Sequence, residues 1–134
     1  MSSENVQTLR GAYEAFARQD VSTVMAAFHE DIEWDTPDSI PFGGSYHGHD
    51  GVGSFFGQLP EYWEELRVEP EEFIDAGETV VVLIRLSGKG AGGSIDSKSL
   101  HLWRMRDGKA AAFREYPDTA RVLQALGQEV SATR

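Results

Sequence analysis

The apolar residues of this chain change their spacing near Leu66, and that change restricts the folds open to it. Before Leu66 they recur mainly every three to four positions, the spacing of a helix face, broken by one short alternating run; after it they alternate throughout, as in half-buried strands. Val6, Leu9, Tyr13 and Phe16 make one stripe on a first helix over 6–17. Val21, Val24, Met25 and Phe28 predict a second, short helix ending near 29–31. Ile32-Glu33-Trp34-Asp35-Thr36 alternates and stops at Pro37, as a strand entering a loop does. The stretch 37–48 carries Pro37, Pro41, Gly43, Gly44 and Gly48 and reads as a loop of the kind that borders a site. Asp50 is placed to cap a third helix through Val52, Phe55, Phe56 and Leu59, which Pro60 ends or kinks before Tyr62 and Trp63.

Beyond Leu66 the pattern predicts strands over 67–74, 79–86, 97–105 and 110–116. The segment 87–94, with Gly88, Gly90, Gly92 and Gly93, reads as a flexible hairpin tip, since no helix follows it to present its N-terminus to a phosphate. Asp118 can cap a last helix over 120–126 that stops at Gly127. Helices first and strands later make this an α+β chain: one strongly curved antiparallel sheet wrapped around the N-terminal helices. A chain of 134 residues closes one hydrophobic core, so a single domain over 1–134 with one site is expected.

Composition removes several functions. Asp and Glu number 22 against 12 Lys and Arg, a net charge of -10, which repels phosphate backbones; the basic cluster Arg104, Arg106 and Lys109 reads as solvated strand ends. No nucleic-acid partner is expected. The chain has no cysteine, which rules out disulfides, thiolate catalysis and thiolate metal ligands. His47-Gly48-His49-Asp50 offers metal-ligating side chains, but no helix or strand pairing fixes their spacing, so neither metal nor other cofactor is expected. The first residues lack the basic and apolar regions of a signal peptide, and no apolar run approaches the roughly 20 residues of a membrane span. A cytoplasmic protein without a membrane partner is the expectation.

Three strings carry a resemblance. They are Phe28-His29-Glu30-Asp31 leading to Trp34-Asp35-Thr36-Pro37, then Gly44-Ser45-Tyr46-His47-Gly48-His49-Asp50-Gly51-Val52 before Phe55-Phe56, and Trp103-Arg104-Met105-Arg106-Asp107-Gly108-Lys109 followed by Phe113-Arg114-Glu115-Tyr116-Pro117-Asp118. Together with the element order they resemble the nuclear transport factor 2-like superfamily, of cystatin-like fold, and within it the SnoaL-like proteins. The resemblance implies a cone with a cavity between sheet and helices, a small hydrophobic ligand, and a homodimer formed through the outer sheet face. The superfamily includes ketosteroid isomerases, polyketide cyclases and limonene epoxide hydrolases, so the fold alone does not name a reaction.

Resemblance to limonene epoxide hydrolases and SnoaL-type cyclases places Glu115 where those families carry a catalytic Asp; the extra methylene moves the carboxyl by about 1 Å. His101 stands at the strand position of the oxyanion-stabilising acid of ketosteroid isomerases, as a proton donor or an orienting partner. Tyr13 stands where those isomerases carry an oxyanion-hole tyrosine; if buried, its phenol needs a partner such as His101 or a ligand carbonyl. The isomerase general base precedes a proline, but here Thr36 precedes Pro37 and the acid is Asp35. Alternation lets only one of Trp34 and Asp35 face a pocket unless the strand bulges. Phe16, Trp34, Phe55, Trp103 and Phe113 are the expected apolar walls. The turn at Asp107-Gly108 leaves two registers open. A three-residue turn with a bulge at Gly108, which the resemblance favours, sets His101 across from Phe113 and puts Trp103, Ala111 and Glu115 on its face; a two-residue turn substitutes Arg114 and Tyr116 for Glu115. The residues thus predict a metal-independent acid/base enzyme, a non-catalytic ligand binder, or a dimerisation domain.

Overall fold

The computed structural model describes residues 3–128. Ser3 starts the first helix, its hydroxyl accepting from the Val6 N–H at 3.1 Å; α1 (Glu4–Ala17) buries Val6, Leu9, Ala12, Tyr13 and Ala15. Asp20 caps the short α2 (Val21–Ala26) by accepting from the Thr23 N–H. Helical spacing from Val24 to Phe28 predicts a longer α2, but the Ala27 carbonyl accepts from the Ala110 N–H at 2.9 Å and begins sheet pairing instead. Phe28 therefore opens β1 (Phe28–Thr36). The predicted loop over 37–48 contains a further strand, β2 (Gly44–His47), paired antiparallel to β1 through Trp34↔Tyr46 and Thr36↔Gly44.

The third helix, α3 (Gly48–Tyr62), begins before Asp50. His47 holds the N-cap position without a side-chain hydrogen bond, and Asp50 lies in the first turn, where its charge faces the positive end of the helix. Pro60 sits in the last turn, and the helix closes two residues later. There follow β3 (Trp63–Ala76), β4 (Thr79–Gly90), β5 (Gly93–Arg106), β6 (Lys109–Pro117) and α4 (Thr119–Ala125), the last capped by Asp118, which accepts from the Arg121 N–H at 3.1 Å. The six strands form one curved sheet in the order β2-β1-β6-β5-β4-β3. Every pairing is antiparallel except β1 with β6, a correction to the all-antiparallel expectation. These two strands are separated by α3 and four further strands, chain enough for β6 to enter the sheet in the direction of β1.

One face of the sheet packs against the helices. On β4 it carries Val80, Val82, Ile84 and Leu86, all buried, while Val81 and Leu83 face the other way. The β5–β6 hairpin settles which side chains share that inner face. Asp107 (φ 53) and Gly108 (φ 78) are both left-handed, which makes a two-residue turn with Arg106 opposite Lys109 and Met105 opposite Ala110. Arg104 then pairs with Ala112, so Ala111 is an extra residue, a bulge. Beyond it Trp103 faces Phe113 and His101 faces Glu115. The bulge thus lies at Ala111, not Gly108, and His101 stands opposite Glu115, not Phe113. Its effect is the one expected: His101, Trp103, Phe113 and Glu115 end on one face.

The β4–β5 tip is held rather than flexible. The strands run on to Gly90 and Gly93, and the Gly92 N–H donates to the Ala125 carbonyl of α4 at 2.8 Å. A Cβ on Gly92 would collide with the Gln124 carbonyl oxygen, whereas one on Gly57, inside α3, would meet nothing within 4 Å. Gly92→Ala should therefore lower the unfolding free energy measured in urea by about 1–3 kcal/mol, and Gly57→Ala should raise it by roughly 0.5–1 kcal/mol. A Gly92 variant as stable as the unmodified protein would show that α4 does not clamp the tip.

Candidate functional site

Between the inner sheet face and α1 to α3 lies a cavity of about 90 Å³. Aromatic rings make most of its wall: Phe16 from α1, Phe28 and Trp34 from β1, Phe55 and Phe56 from α3, Trp103 from β5 and Phe113 from β6. Trp34 stacks on Phe113 with ring centres 3.8 Å apart, and Trp103 tilts against Phe113 at 4.6 Å. All five predicted wall residues therefore line one space. Sequence reasoning missed Val24, Ile40, Phe42, Leu66 and Val68, which also line it. Ile40 and Phe42 come from the segment between β1 and β2, where no periodicity marks an inward side. An open groove of about 640 Å³ lies beside the cavity between α1, α3 and β3 and shares Phe16, Phe56, Leu59, Trp63, Leu66 and Val68 with it.

Three of the four predicted polar residues meet here: Tyr13, His101 and Glu115. Trp103 donates its indole N–H to the Tyr13 oxygen at 3.0 Å, and Tyr13 Oη lies 2.6 Å from His101 Nδ1. When the imidazole carries its proton on Nε2, the Tyr13 hydroxyl donates to Nδ1; the other tautomer reverses that bond and frees the Tyr13 proton for a ligand oxygen. Burial lowers the His101 imidazole to about 3, so it is neutral at ordinary pH and is no proton donor of the imidazolium kind. Burial also raises the Tyr13 phenol well above its usual range, only partly offset by the Trp103 hydrogen bond.

Glu115 is the one acidic side chain of the wall, and no Lys or Arg lines the cavity among the described residues. Burial pushes its carboxyl up to about 7, against the opposing effect of the Thr36 hydroxyl, which donates to Oε1 at 3.1 Å. Its residual accessible surface goes with its place on the cavity wall. Thr36, 4% exposed, was not predicted as a site residue, although alternation from Trp34 points it inward. The same alternation turns Asp35 out, which corrects its prediction as a catalytic residue. Asp35 accepts from the Ser45 hydroxyl at 2.6 Å and lies 3.7 Å from Arg114 on the outer side.

The histidines of the 47–50 string are occupied singly: His47 pairs with Glu33 at 3.1 Å, and His49 Nε2 donates to the Phe28 carbonyl at 2.9 Å. Among the described residues no group of three or more His, Asp or Glu side chains is placed to hold a metal ion. No described helix is long and apolar enough to cross a membrane.

The model of the SnoaL-like domain matches residues 9–113. The chain belongs to the SnoaL-like domain family. Solved structures agree with this fold. An NTF2-like protein of unknown function from Burkholderia pseudomallei K96243 is 39% identical, with 93% of this chain and 98% of that one covered and a TM-score of 0.88. TerC, co-crystallised with polyporic acid, is 28% identical, with 94% of this chain and 100% of that one covered and a TM-score of 0.89. A protein of cystatin-like fold from Xanthomonas campestris, 20% identical over 93% of this chain and 98% of its own at a TM-score of 0.84, shares the fold. No curated protein matches the chain. Within this SnoaL-like domain, the cavity, its carboxyl and the Trp103–Tyr13–His101 chain are the features open to chemistry.

The two shifts tilt stability in opposite directions. Glu115, raised from 4.5 to about 7, holds a proton that the unfolded chain has released, so it lowers stability progressively as pH rises through that window. His101, lowered from 6.5 to about 3, stabilises the folded protein above 6.5 and loses that contribution as pH falls toward 3. Between 4.5 and 6.5 the two slopes oppose each other. Glu115→Gln removes one of them. Relative to the unmodified protein, it should gain stability on going from pH 5 to pH 8, by on the order of 3 kcal/mol at most in urea unfolding. An equal difference at both pH values would mean that the carboxyl is hydrated.

Proposed function

We propose that this single domain is a metal-independent acid/base enzyme in which Glu115 moves a proton on or off a small, largely apolar molecule bearing a carbonyl, epoxide or polyketide-like oxygen. One observation carries the reading: a lone carboxyl on an aromatic cavity wall, raised to about 7. A group titrating there is part ionised at neutral pH and can take or return a proton. Tyr13 is the polarising hydroxyl, available to a ligand oxygen when His101 carries its proton on Nδ1 and donates to the phenol oxygen. His101 is a positioning residue in this scheme; at about 3 its imidazolium lies out of reach, so the expected sharing of proton transfer with Glu115 is dropped. Phe16, Trp34, Phe55, Trp103 and Phe113 exclude water and hold the ligand. The binding of polyporic acid by TerC supports a small-molecule role for a fold of this kind. Action in the cytoplasm rests on the sequence alone.

Turnover of a panel of small apolar ketones and epoxides tests the reading. Glu115→Gln should reduce kcat at least 100-fold, within the usual range for losing a general acid or base. As a base, Glu115 gives kcat/KM that rises with pH through about 7; as an acid, one that falls through about 7. Activity unaffected by Glu115→Gln would end the proposal. A second reading, ligand retention without turnover, is favoured by the Tyr13 hydroxyl, which already has two partners inside the protein. It requires saturable binding, no product, and an affinity little changed by Glu115→Gln.

The outer sheet face supports the homodimer. Val81 pairs with Leu102 and with Ile74, Leu83 pairs with Leu100, and Tyr116 lies across from Leu100. Ile74 is 44% and Tyr116 53% exposed, which leaves an apolar patch open to solvent. Leu100→Glu should convert the species seen by light scattering from dimer to monomer while leaving ligand binding on the opposite face intact. A monomer before substitution would remove the dimer.

A further inference from the structure

Thr36 is the last residue of β1, held extended by the proline that follows it. β1 runs parallel to β6 with Asp35 opposite Arg114, and one residue further on Thr36 stands beside Glu115. Asp35 and Arg114 face the outer side, whereas Thr36 is 4% exposed and its hydroxyl donates to Glu115 Oε1 at 3.1 Å. Packing alone does not call for a threonine there, because valine has nearly the same branched shape without a hydroxyl to satisfy.

Among the described residues the Thr36 hydroxyl is the one hydrogen-bond donor to the Glu115 carboxyl. Oε2 accepts from none of them and, unlike the Ser97 and Ser99 hydroxyls, is not sealed from accessible space. The other groups that face the carboxyl carry no charge that could hold it. Tyr13 from α1 and His101 from β5 are neutral at ordinary pH, and the cavity residues from β1, α2, α3, β3, β4 and α4 have no titratable group. On β6 itself Arg114 and Tyr116 are exposed on the outer face.

We propose that Thr36 is the positioning residue of the Glu115 carboxyl: its hydroxyl holds Oε1 and leaves Oε2 to exchange the proton with the ligand. In the acid form Oε1 remains the acceptor of the Thr36 hydroxyl, so the proton sits on Oε2; in the carboxylate the same bond stabilises the charge. One hydroxyl thus sets both which oxygen carries the proton and the pH at which the group changes charge. This role rests on Glu115 being the proton-transfer group, and it deepens that reading by naming what aims the carboxyl.

The test follows the Glu115 carboxyl carbon by NMR in the full chain made with isotope-labelled glutamate, with Glu115→Gln identifying the signal. The unmodified protein should titrate at about 7. Thr36→Val should raise that midpoint by about one pH unit, because a hydrogen bond to the charged form is lost. Thr36→Ser, which keeps the hydroxyl, should stay close to the unmodified midpoint. A threonine present only for packing gives the opposite order, since valine preserves its shape and serine does not. For any substrate turned over, the pH profile of kcat/KM should move by the same amount in Thr36→Val. A midpoint unmoved by Thr36→Val, or moved as far by Thr36→Ser, overturns the role of Thr36 and leaves Glu115 in the proposed reaction. If Thr36→Val does not fold, Thr36→Ala against Thr36→Ser makes the same comparison, and equal midpoints in those two overturn the role. An unmodified protein that titrates near 4.5 removes the perturbed carboxyl, and both readings fall together.

Discussion

One extra residue in β6, Ala111, decides which chemistry the cavity can hold. The two-residue turn at Asp107-Gly108 would by itself set Arg114 opposite His101 and turn Glu115 outward. The bulge shifts every later pair by one, bringing Phe113 beside Trp103 and Glu115 beside His101 on the inner face. Phe113 then stacks on Trp34 and tilts against Trp103, so the same shift that delivers the carboxyl also builds the aromatic wall around it. A cation from Arg114 in that position would have no buried carboxylate to neutralise it. Instead it lies outside, 3.7 Å from Asp35.

With the register fixed, burial sets the charge state of the site. Taking ionisable groups out of water favours whichever form is neutral, and here it acts on three side chains at once. Glu115 is pushed toward its acid, His101 toward its neutral imidazole, and Tyr13 toward its phenol. Of the three, only Glu115 comes to lie near neutral pH, which is why proton transfer is assigned to it and not to the histidine. The Trp103–Tyr13–His101 chain satisfies the polar atoms around it with hydrogen bonds rather than charges. Such a site favours uncharged ligands, whose entry leaves no buried ion without a partner.

Much of the architecture was legible because periodicity is a local signal. The α1 stripe, the alternating strands and the Asp118 cap are each visible within a short window, and each stands in the structure. The wall residues Phe16, Trp34, Phe55, Trp103 and Phe113 followed from those windows and the family resemblance. What failed was set by distant partners. The strand β2 is too short to alternate and exists because β1 lies beside it, and α2 ends where Ala27 meets Ala110. The β4–β5 glycines look like flexibility in a window, but they make room for α4 from the far end of the chain. Asp35 was carried in by its nearness to Pro37, whereas strand alternation places Thr36, not Asp35, against Glu115.

The inner face of the sheet thus departs from an ordinary core in a consistent way. A core selected for stability alone would place apolar side chains at the positions of Ser97, Ser99, His101 and Glu115, where burial destabilises polar groups. Instead these four lie on the inner face of adjacent strands β5 and β6, and His101 and Glu115 line the cavity beside its aromatic rings. The apolar contacts of Val80, Val82, Ile84 and Leu86 on the neighbouring strand supply stability that this polar lane does not. Stability and site are therefore divided between strands of one sheet face. That division lets polar side chains occupy buried positions on β5 and β6 while the apolar side chains of β4 hold the same face together.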